Sequence, residues 1–264
     1  MVSTAIVAQN EQELLHELST HAYEPKKEDF RNIGSVNVYI FPLRSDRAVV
    51  LDGYDYTRND GIIRGLNVLR QLAFLKMLSD RFGMPFRHVY LKENFTAAYS
   101  TKGQEYKENV LVPYWVSTGE IIRKLPNGYS IHRVNGVDFV TITPVTYSDN
   151  LVVEGEEPKG PPEKSIRQYK SIRQYRAGPT LQTEIPTKTG YFDDFESVIP
   201  VDSEIYSRMG GKGYWNGSYF ENNLSAVRCY WFSVGQRLFA SASRPLGRYG
   251  DGVLGIGTDA PLNK

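Results

Sequence analysis

Apolar residues recur at three- and four-residue spacing from Gly61 to Phe82, the longest helical period in the chain. Ile62, Leu66, Leu69, Leu72, Ala73, Leu75 and Leu78 fall on one side of a helix at that spacing. Arg64, Asn67, Arg70, Gln71 and Lys76 fall mostly on the other. Asn59 or Asp60 is placed to accept from the first free amides, while Gly83 offers a left-handed cap and Pro85 a residue that cannot continue the helix. The pattern predicts one long central helix over 61–82, roughly 33 Å at 1.5 Å per residue. Its stripe needs a sheet to cover it.

Upstream, Asn10 and Glu13 have the spacing of a capping box before Leu14, Leu15 and Leu18, which predicts a short helix from Gln12 to Thr20. Lys26 to Asn32 reads as polar connection. β-Branched runs at Ser35 to Phe41 and Arg47 to Leu51 flank Leu43–Asp46 and predict a hairpin leading into the central helix. Downstream, Phe86 to Leu91 reads as a strand, and Lys92 to Asn109, polar with isolated aromatics, as a surface loop or a weak hairpin.

From Val110 to Val145 the period changes to two. Strands are predicted at Val110 to Val116, Glu120 to Leu125, Tyr129 to Val134 and Val137 to Val145. Pro126-Asn127-Gly128 and Asn135-Gly136 separate them with residues that tolerate positive φ, the second matching a two-residue hairpin. The result is an antiparallel meander with the central helix as its cover. Beyond Phe192 the chain is rich in glycine and aromatics, with strands expected at Val198 to Ile199, Ala226 to Val234 and Arg237 to Ala242. The expected fold class is α+β, mainly antiparallel β, with one long central helix (61–82) on a β-meander and a β-rich C-terminal region. The expected organisation is an α+β domain over 1–148, an extended basic arm or linker over 149–190, and the β-rich region over 191–264.

Composition bounds what this chain does. Its 264 residues are 41% hydrophobic and 23% charged, ordinary for a globular protein. Lys plus Arg (31) nearly cancels Asp plus Glu (30), so no global field draws it to nucleic acid or an anionic membrane. The single cysteine, Cys229, excludes an internal disulfide and a cysteine-rich zinc site and reads as a core thiol. Met1 to Ala8 lacks a signal-peptide pattern, and no window approaches the roughly 18 apolar residues of a membrane span. These features lead to the expectation of a cytoplasmic protein, or a virion component assembled in a cytoplasm.

Residues 149–190 change composition: an acidic patch at Glu154 to Glu157, prolines at 158, 161 and 162, then a tandem hexapeptide, Ser165 to Lys170 repeated as Ser171 to Arg176. Lys164, Arg167, Lys170, Arg173 and Arg176 recur every third residue with Tyr169 and Tyr175 between them. Cations plus aromatic faces suit phosphate contact and base stacking. As a strand, the same segment suits an edge docked on a neighbouring subunit or on its own chain. Both readings stand beside an inert linker.

Asp52, Asp55 and Asp60 precede the central helix without the spacing of a calcium loop and read as turn and cap residues. His16, His21, His88 and His132 lie in different elements and form no helix-spaced metal pair, so surface or singly hydrogen-bonded roles are expected. Gly250-Asp251-Gly252-Val253-Leu254-Gly255 matches the letters of a dinucleotide fingerprint but lacks a following helix and an acidic residue about twenty positions on. These glycines read instead as tight turns or close backbone approach. No catalytic residue, metal site or cofactor is assigned.

Aromatic residues crowd the stretch from Tyr206 to Tyr249. In the alternating run Val227 to Ser233, Val227, Cys229 and Trp231 share one face and Arg228, Tyr230 and Phe232 the other, so both faces carry large groups. Trp215, Tyr219, Tyr230 and Phe232 are the candidate contact residues there, against a two-sided sandwich core as the plainer account.

Gly213-Tyr214-Trp215-Asn216-Gly217-Ser218, Asn222 to Ala226, Cys229-Tyr230-Trp231-Phe232-Ser233-Val234-Gly235, Ser243-Arg244 and Tyr249 to Val253 together resemble the end of C-type-lectin-like domains. These are the kind found in formylglycine-generating-enzyme relatives and some phage receptor-binding proteins. The resemblance covers about 198–257; Asn216-Gly217 stands where Ser-Ser is usual and Leu254 where the closing Arg is usual. It implies a loop surface displayed for binding, and no formylglycine-generating activity, which looks to a pair of cysteines. The expected function is therefore a non-enzymatic structural and binding protein, a subunit of an assembly such as a phage virion. Self-association, other subunits, or a surface receptor or glycan are the expected partners. A nucleic-acid-binding module using 164–176, and an enzyme whose site is scattered in sequence, are the alternatives.

Overall fold

The computed structural model describes residues 5–125, 128–129, 131–134, 137–147, 175–177, 183–186, 190–192, 213–216, 224–232, 237–245 and 252–262, with side chains over 5–121, at 142, over 238–241 and over 252–262. The chain is mixed α and β, and its sheets are mainly antiparallel.

Strand β1 (Ile6–Val7) leads into helix α1 (Glu11–His21). Asn10 Oδ1 accepts from the Glu13 amide at 2.9 Å, and the Glu13 carboxylate accepts from the Gln9 amide at 2.7 Å, so the start of this helix is the one the capping spacing predicts. Leu14, Leu15 and Leu18 are buried as expected. The supposed polar connection contains a strand, β2 (Phe30–Ile33), because Phe30 and Ile33 both reach the core and hold the segment against β3 (Val36–Tyr39).

The predicted hairpin does not form. β3 and β4 (Val49–Leu51) belong to different sheets: β3 pairs with β2, while β4 lies between β1, in parallel, and β5 (Tyr54–Asp55). The turn chemistry between them is used to change sheets, since each run finds its apolar partner elsewhere.

Helix α2 spans Val68–Phe82 and begins seven residues later than its apolar pattern. Gly61 and Gly65 adopt φ of +76° and +81°, outside the helical region. Asn67, not Asn59 or Asp60, is the cap, accepting from the Arg70 amide at 3.0 Å. Ile62 and Leu66 remain core residues without being helical. The C-terminal end is as predicted, with Gly83 left-handed at φ +67°. A second correction concerns the polar side of α2: Asn67, Arg70 and Gln71 are buried, and Arg70 is the largest fully buried side chain described. Helix α1 and the Tyr56 segment cover that side, so the first turn of α2 is enclosed all round, while Lys76, Asp80 and Arg81 keep an exposed side further along.

Strand β6 (Phe86–His88) is followed by helix α3 (Leu91–Tyr99), a helical turn at Gln104–Tyr106 and a wide π turn at Lys107–Leu111. The expected loop is thus largely helical. Its isolated apolar residues Phe95, Ala97, Ala98 and Tyr106 are a core face that the polar residues between them obscure, and Val110 and Leu111, expected in a strand, join that face from the π turn.

Strand β7 (Val116–Leu125) therefore starts at Val116 and runs unbroken through Glu120. β8 (Gly128–Tyr129) folds back on β7, and β9 (Ile131–Val134) turns into β10 (Val137–Tyr147) through a two-residue connection that pairs Val134 with Val137. β10 also pairs with β7, and α2 passes close to both. β11 (Tyr175–Ala177), β12 (Thr183–Pro186), β13 (Gly190–Phe192), β14 (Gly213–Asn216), β15 (Leu224–Phe232) and β16 (Arg237–Pro245) extend this sheet in the order β11-β10-β7-β15-β16-β14-β13.

The last strands tie the chain together. β17 (Val253–Leu254) runs parallel to β7, and β18 (Ile256–Thr258) pairs with β3 and β6. Between them, a Cβ on Gly255 would fall 2.7 Å from Val116 Cγ1, the close approach expected of these glycines. One apolar core lies around α1 and α2, with Leu18, Tyr56, Phe74 and Leu78 fully or nearly fully buried. The other lies between α3 and the large sheet, with Phe95, Val116, Ile142 and Leu238. Each such side chain contributes about 1.5–3 kcal/mol by burial.

Candidate functional site

Two of the places where polar groups gather among the described residues contrast with each other, a sealed seam along α2 and an open cleft beside β3. In the seam, Arg70 donates to Tyr56 Oη at 2.6 Å and lies 3.4 Å from a Glu11 carboxylate oxygen. Burial pushes the Glu11 carboxyl up and the Arg70 charge draws it back down. The adjacent Gln71 donates to the Leu66 carbonyl at 2.7 Å, which leaves its Oε1 facing His88 Nε2 at 3.0 Å. That contact assigns the proton to Nε2 of a neutral ring. Burial, helped by the neighbouring Arg87 charge, lowers the His88 pKa to about 3. Gly119 passes so near the ring that a Cβ there would stand 2.3 Å from His88 Cγ.

Glu120 follows. One of its carboxyl oxygens accepts from the Leu91 amide, the first of α3, at 2.7 Å. Burial raises its pKa to about 8, although that bond and a hydrogen bond with Thr118 favour the charged form. At 1% and 2% exposure, Glu120 and His88 are closed to any solute. This seam joins α2, β6, β7 and α3 into one body.

The cleft encloses about 430 Å³. Tyr23, Tyr39, Phe41 and Tyr114 bring aromatic rings to it, and Pro42 and Pro113 add flat apolar surface. Arg44, Glu108 and Asn109 are its polar groups. Tyr23 and Arg44 are set side by side by a backbone hydrogen bond of 2.8 Å from the Tyr23 amide to the Arg44 carbonyl. Tyr39 and Phe41 meet edge to face at 6.1 Å. The π turn carries Glu108 and Asn109, and Arg64 stacks over the Tyr114 ring at 5.5 Å.

Among the described residues, Tyr23 and Phe41 are two of the large apolar side chains left exposed, at 56% and 40%. Burial, reinforced by the Asp29 charge, pushes the Tyr39 phenol up to about 12 despite Arg44 nearby. It stays a neutral hydroxyl donor.

Sequence reasoning did not find this cleft, whose residues come from three distant stretches. The signal available was an aromatic within two residues of a proline in three segments, Tyr23-Glu24-Pro25, Phe41-Pro42 and Pro113-Tyr114.

Of the residues assigned from sequence, Lys164, Arg167, Tyr169, Lys170, Arg173 and Tyr219 lie outside the described residues. Tyr175 and Arg176 stand in β11, opposite Tyr147 and Thr146. Trp215 lies in β14 opposite Gly190 and Ala240, and Tyr230 and Phe232 lie in β15 opposite Phe239 and Arg237. Phe239, counted in the aromatic excess, is a core residue at 7% exposure with its ring 5.3 Å from that of Trp115.

Asp55 and Asp60 serve turns, accepting from the Thr57 amide at 2.8 Å and the Ile62 amide at 2.9 Å. Among the described residues, no group of three or more His, Cys, Asp or Glu is arranged to hold a metal ion, and no helix is long and apolar enough to cross a membrane. Comparison with protein-family models, with curated proteins and with solved structures gives no match.

Proposed function

We propose that this chain is a non-enzymatic structural and binding protein, a subunit of a larger assembly such as a phage virion. One observation carries the reading: Glu120 and His88, two groups whose proton affinity burial shifts strongly, are sealed inside, whereas the described surface presents an aromatic cleft. A general acid or base must come within hydrogen-bond reach of its substrate. Glu120 and His88 do not line the cleft, and Tyr39, which does, holds its proton to about 12. Exposed Tyr and Phe beside planar polar groups are the composition of a contact surface. The C-type-lectin-like resemblance of 198–257 supports the same role, display of a surface for binding.

Assembly is the part of this reading that the basic arm serves. The pairing of Tyr175 and Arg176 with β10 favours an arm docked on protein over one reserved for nucleic acid. The test is light scattering on the full chain, wild type against Arg167→Ser, Lys170→Ser, Arg173→Ser and Arg176→Ser combined. Self-association in the wild type, altered in the variant, is the expected result. A monomer at every concentration in both counts against an assembly subunit. Steeply salt-dependent binding of single-stranded DNA, lost in the variant, puts the nucleic-acid-binding reading in its place.

A further inference from the structure

We infer that the cleft beside β3 is a saccharide-binding site that takes a pyranose ring. The inference rests on the reading of the chain as a binding protein, but it does not require self-association. A pyranose has one face of C–H groups and an edge of hydroxyls, so its site needs flat apolar rings and polar groups that take adjacent hydroxyls together. The cleft supplies both.

Tyr23 and Phe41 hold ring surface open to solvent at the cleft, with Tyr39 and Tyr114 beside them. The edge-to-face contact of Tyr39 and Phe41 fixes these two rings relative to each other before any ligand arrives. Rings held in this way lose little freedom on binding.

The polar groups are the planar kind. Arg44 forms no hydrogen bond or ion pair through its guanidinium among the described residues, so its paired N–H groups are open to two neighbouring oxygens. Asn109 gives one amide N–H to the Glu105 carbonyl at 2.9 Å and keeps its carbonyl oxygen as an acceptor. Glu108 takes a hydrogen bond from Gln104 at 2.5 Å through one carboxylate oxygen, leaving the other to accept. The Tyr39 hydroxyl adds a donor that stays protonated.

A donor fork, two acceptors and a hydroxyl serve the mixed donor and acceptor character of sugar hydroxyls, which a purely cationic or purely apolar site does not. The cleft volume of about 430 Å³ falls in the range of small-ligand sites, about 300–1,000 Å³.

The experiment is saturation-transfer NMR on the full chain with three probes at a few millimolar: maltotriose, triacetylchitotriose and a hyaluronan tetrasaccharide. Transfer to the ring protons of at least one probe is expected. In Tyr23→Ala with Phe41→Ala, both rim positions, its affinity should fall at least about tenfold with no change in melting temperature. Arg44→Ala, also at an exposed position, should weaken the same probe.

Preference for hyaluronan, removed by Arg44→Ala, identifies the pyranose as an acidic one; equal loss across probes identifies it as neutral. No transfer from any probe, or transfer unchanged in both variants, overturns the proposal. So does binding of a proline-rich peptide in the absence of any sugar signal, which would make the cleft a polyproline groove. Saccharide binding by a chain that remains monomeric would sustain this inference and refute only the assembly reading.

Discussion

Replacing Glu120 with Gln should abolish a loss of stability that the wild-type chain suffers between pH 6.5 and 8. The folded chain keeps the Glu120 proton to about pH 8, while an ordinary carboxyl loses it near 4.5. Between those values unfolding releases a proton, so the free energy of unfolding falls as pH rises, at about 1.4 kcal/mol per pH unit. His88 acts with the opposite sign. Its folded pKa of about 3 lies below the ordinary 6.5, so unfolding takes up a proton in that interval and stability rises with pH.

From 4.5 to 6.5 the two slopes cancel. Above 6.5 only Glu120 remains of the pair, and raising the pH to 8 should cost on the order of 2 kcal/mol. Below 4.5 only His88 remains, and stability should fall with acid. Glutamine has nearly the same shape, keeps an oxygen for the Leu91 amide, and carries no titrating proton.

Urea denaturation followed by tryptophan fluorescence, repeated at several pH values from 6.5 to 8, gives the two curves of stability against pH. Other titrating groups are common to both proteins, so the difference in slope isolates Glu120. Parallel curves would refute the argument, because they would mean that the buried carboxyl ionises in the folded chain near its ordinary value.

Two further substitutions test the packing. Leu69→Asp sets an unpaired charge at a position 4% exposed on α2 and should destabilise the fold by more than about 4 kcal/mol; an unchanged melting curve would mean that this face is not core. Gly119→Ala combines a φ of +66° with a Cβ 2.3 Å from His88 Cγ, so a loss of more than about 2 kcal/mol is expected in urea denaturation. Wild-type stability in that variant would show that His88 and Gln71 move aside freely.

Where a structural feature depends on neighbours in sequence, it is legible in sequence. Asn10 and Glu13 start α1 and Gly83 ends α2 because caps are made within a few residues of the chain. The pairing of Val134 with Val137 follows from an Asn-Gly pair that alone suits a two-residue turn. The pattern of Ala226 to Val234 and Arg237 to Ala242 is enough to predict β15 and β16, since a strand's period is a backbone property.

Tertiary contact decided the rest. Ile62 and Leu66 continue the helical pattern of α2, yet Gly61 and Gly65 take left-handed backbone there, and the Tyr54 ring packs so close that a Cβ on Gly65 would lie 2.5 Å from it. Arg70 and Gln71 belong to the polar side of a helical wheel, but Glu11, Tyr56 and His88 arrive from distant elements to pair with them, so that side is buried as well. Two strands adjacent in sequence, β3 and β4, entered separate sheets because burial rewards each for pairing elsewhere. The cleft exists only where residues 23, 39–44 and 108–114 converge, and no local pattern encodes a meeting of segments so far apart.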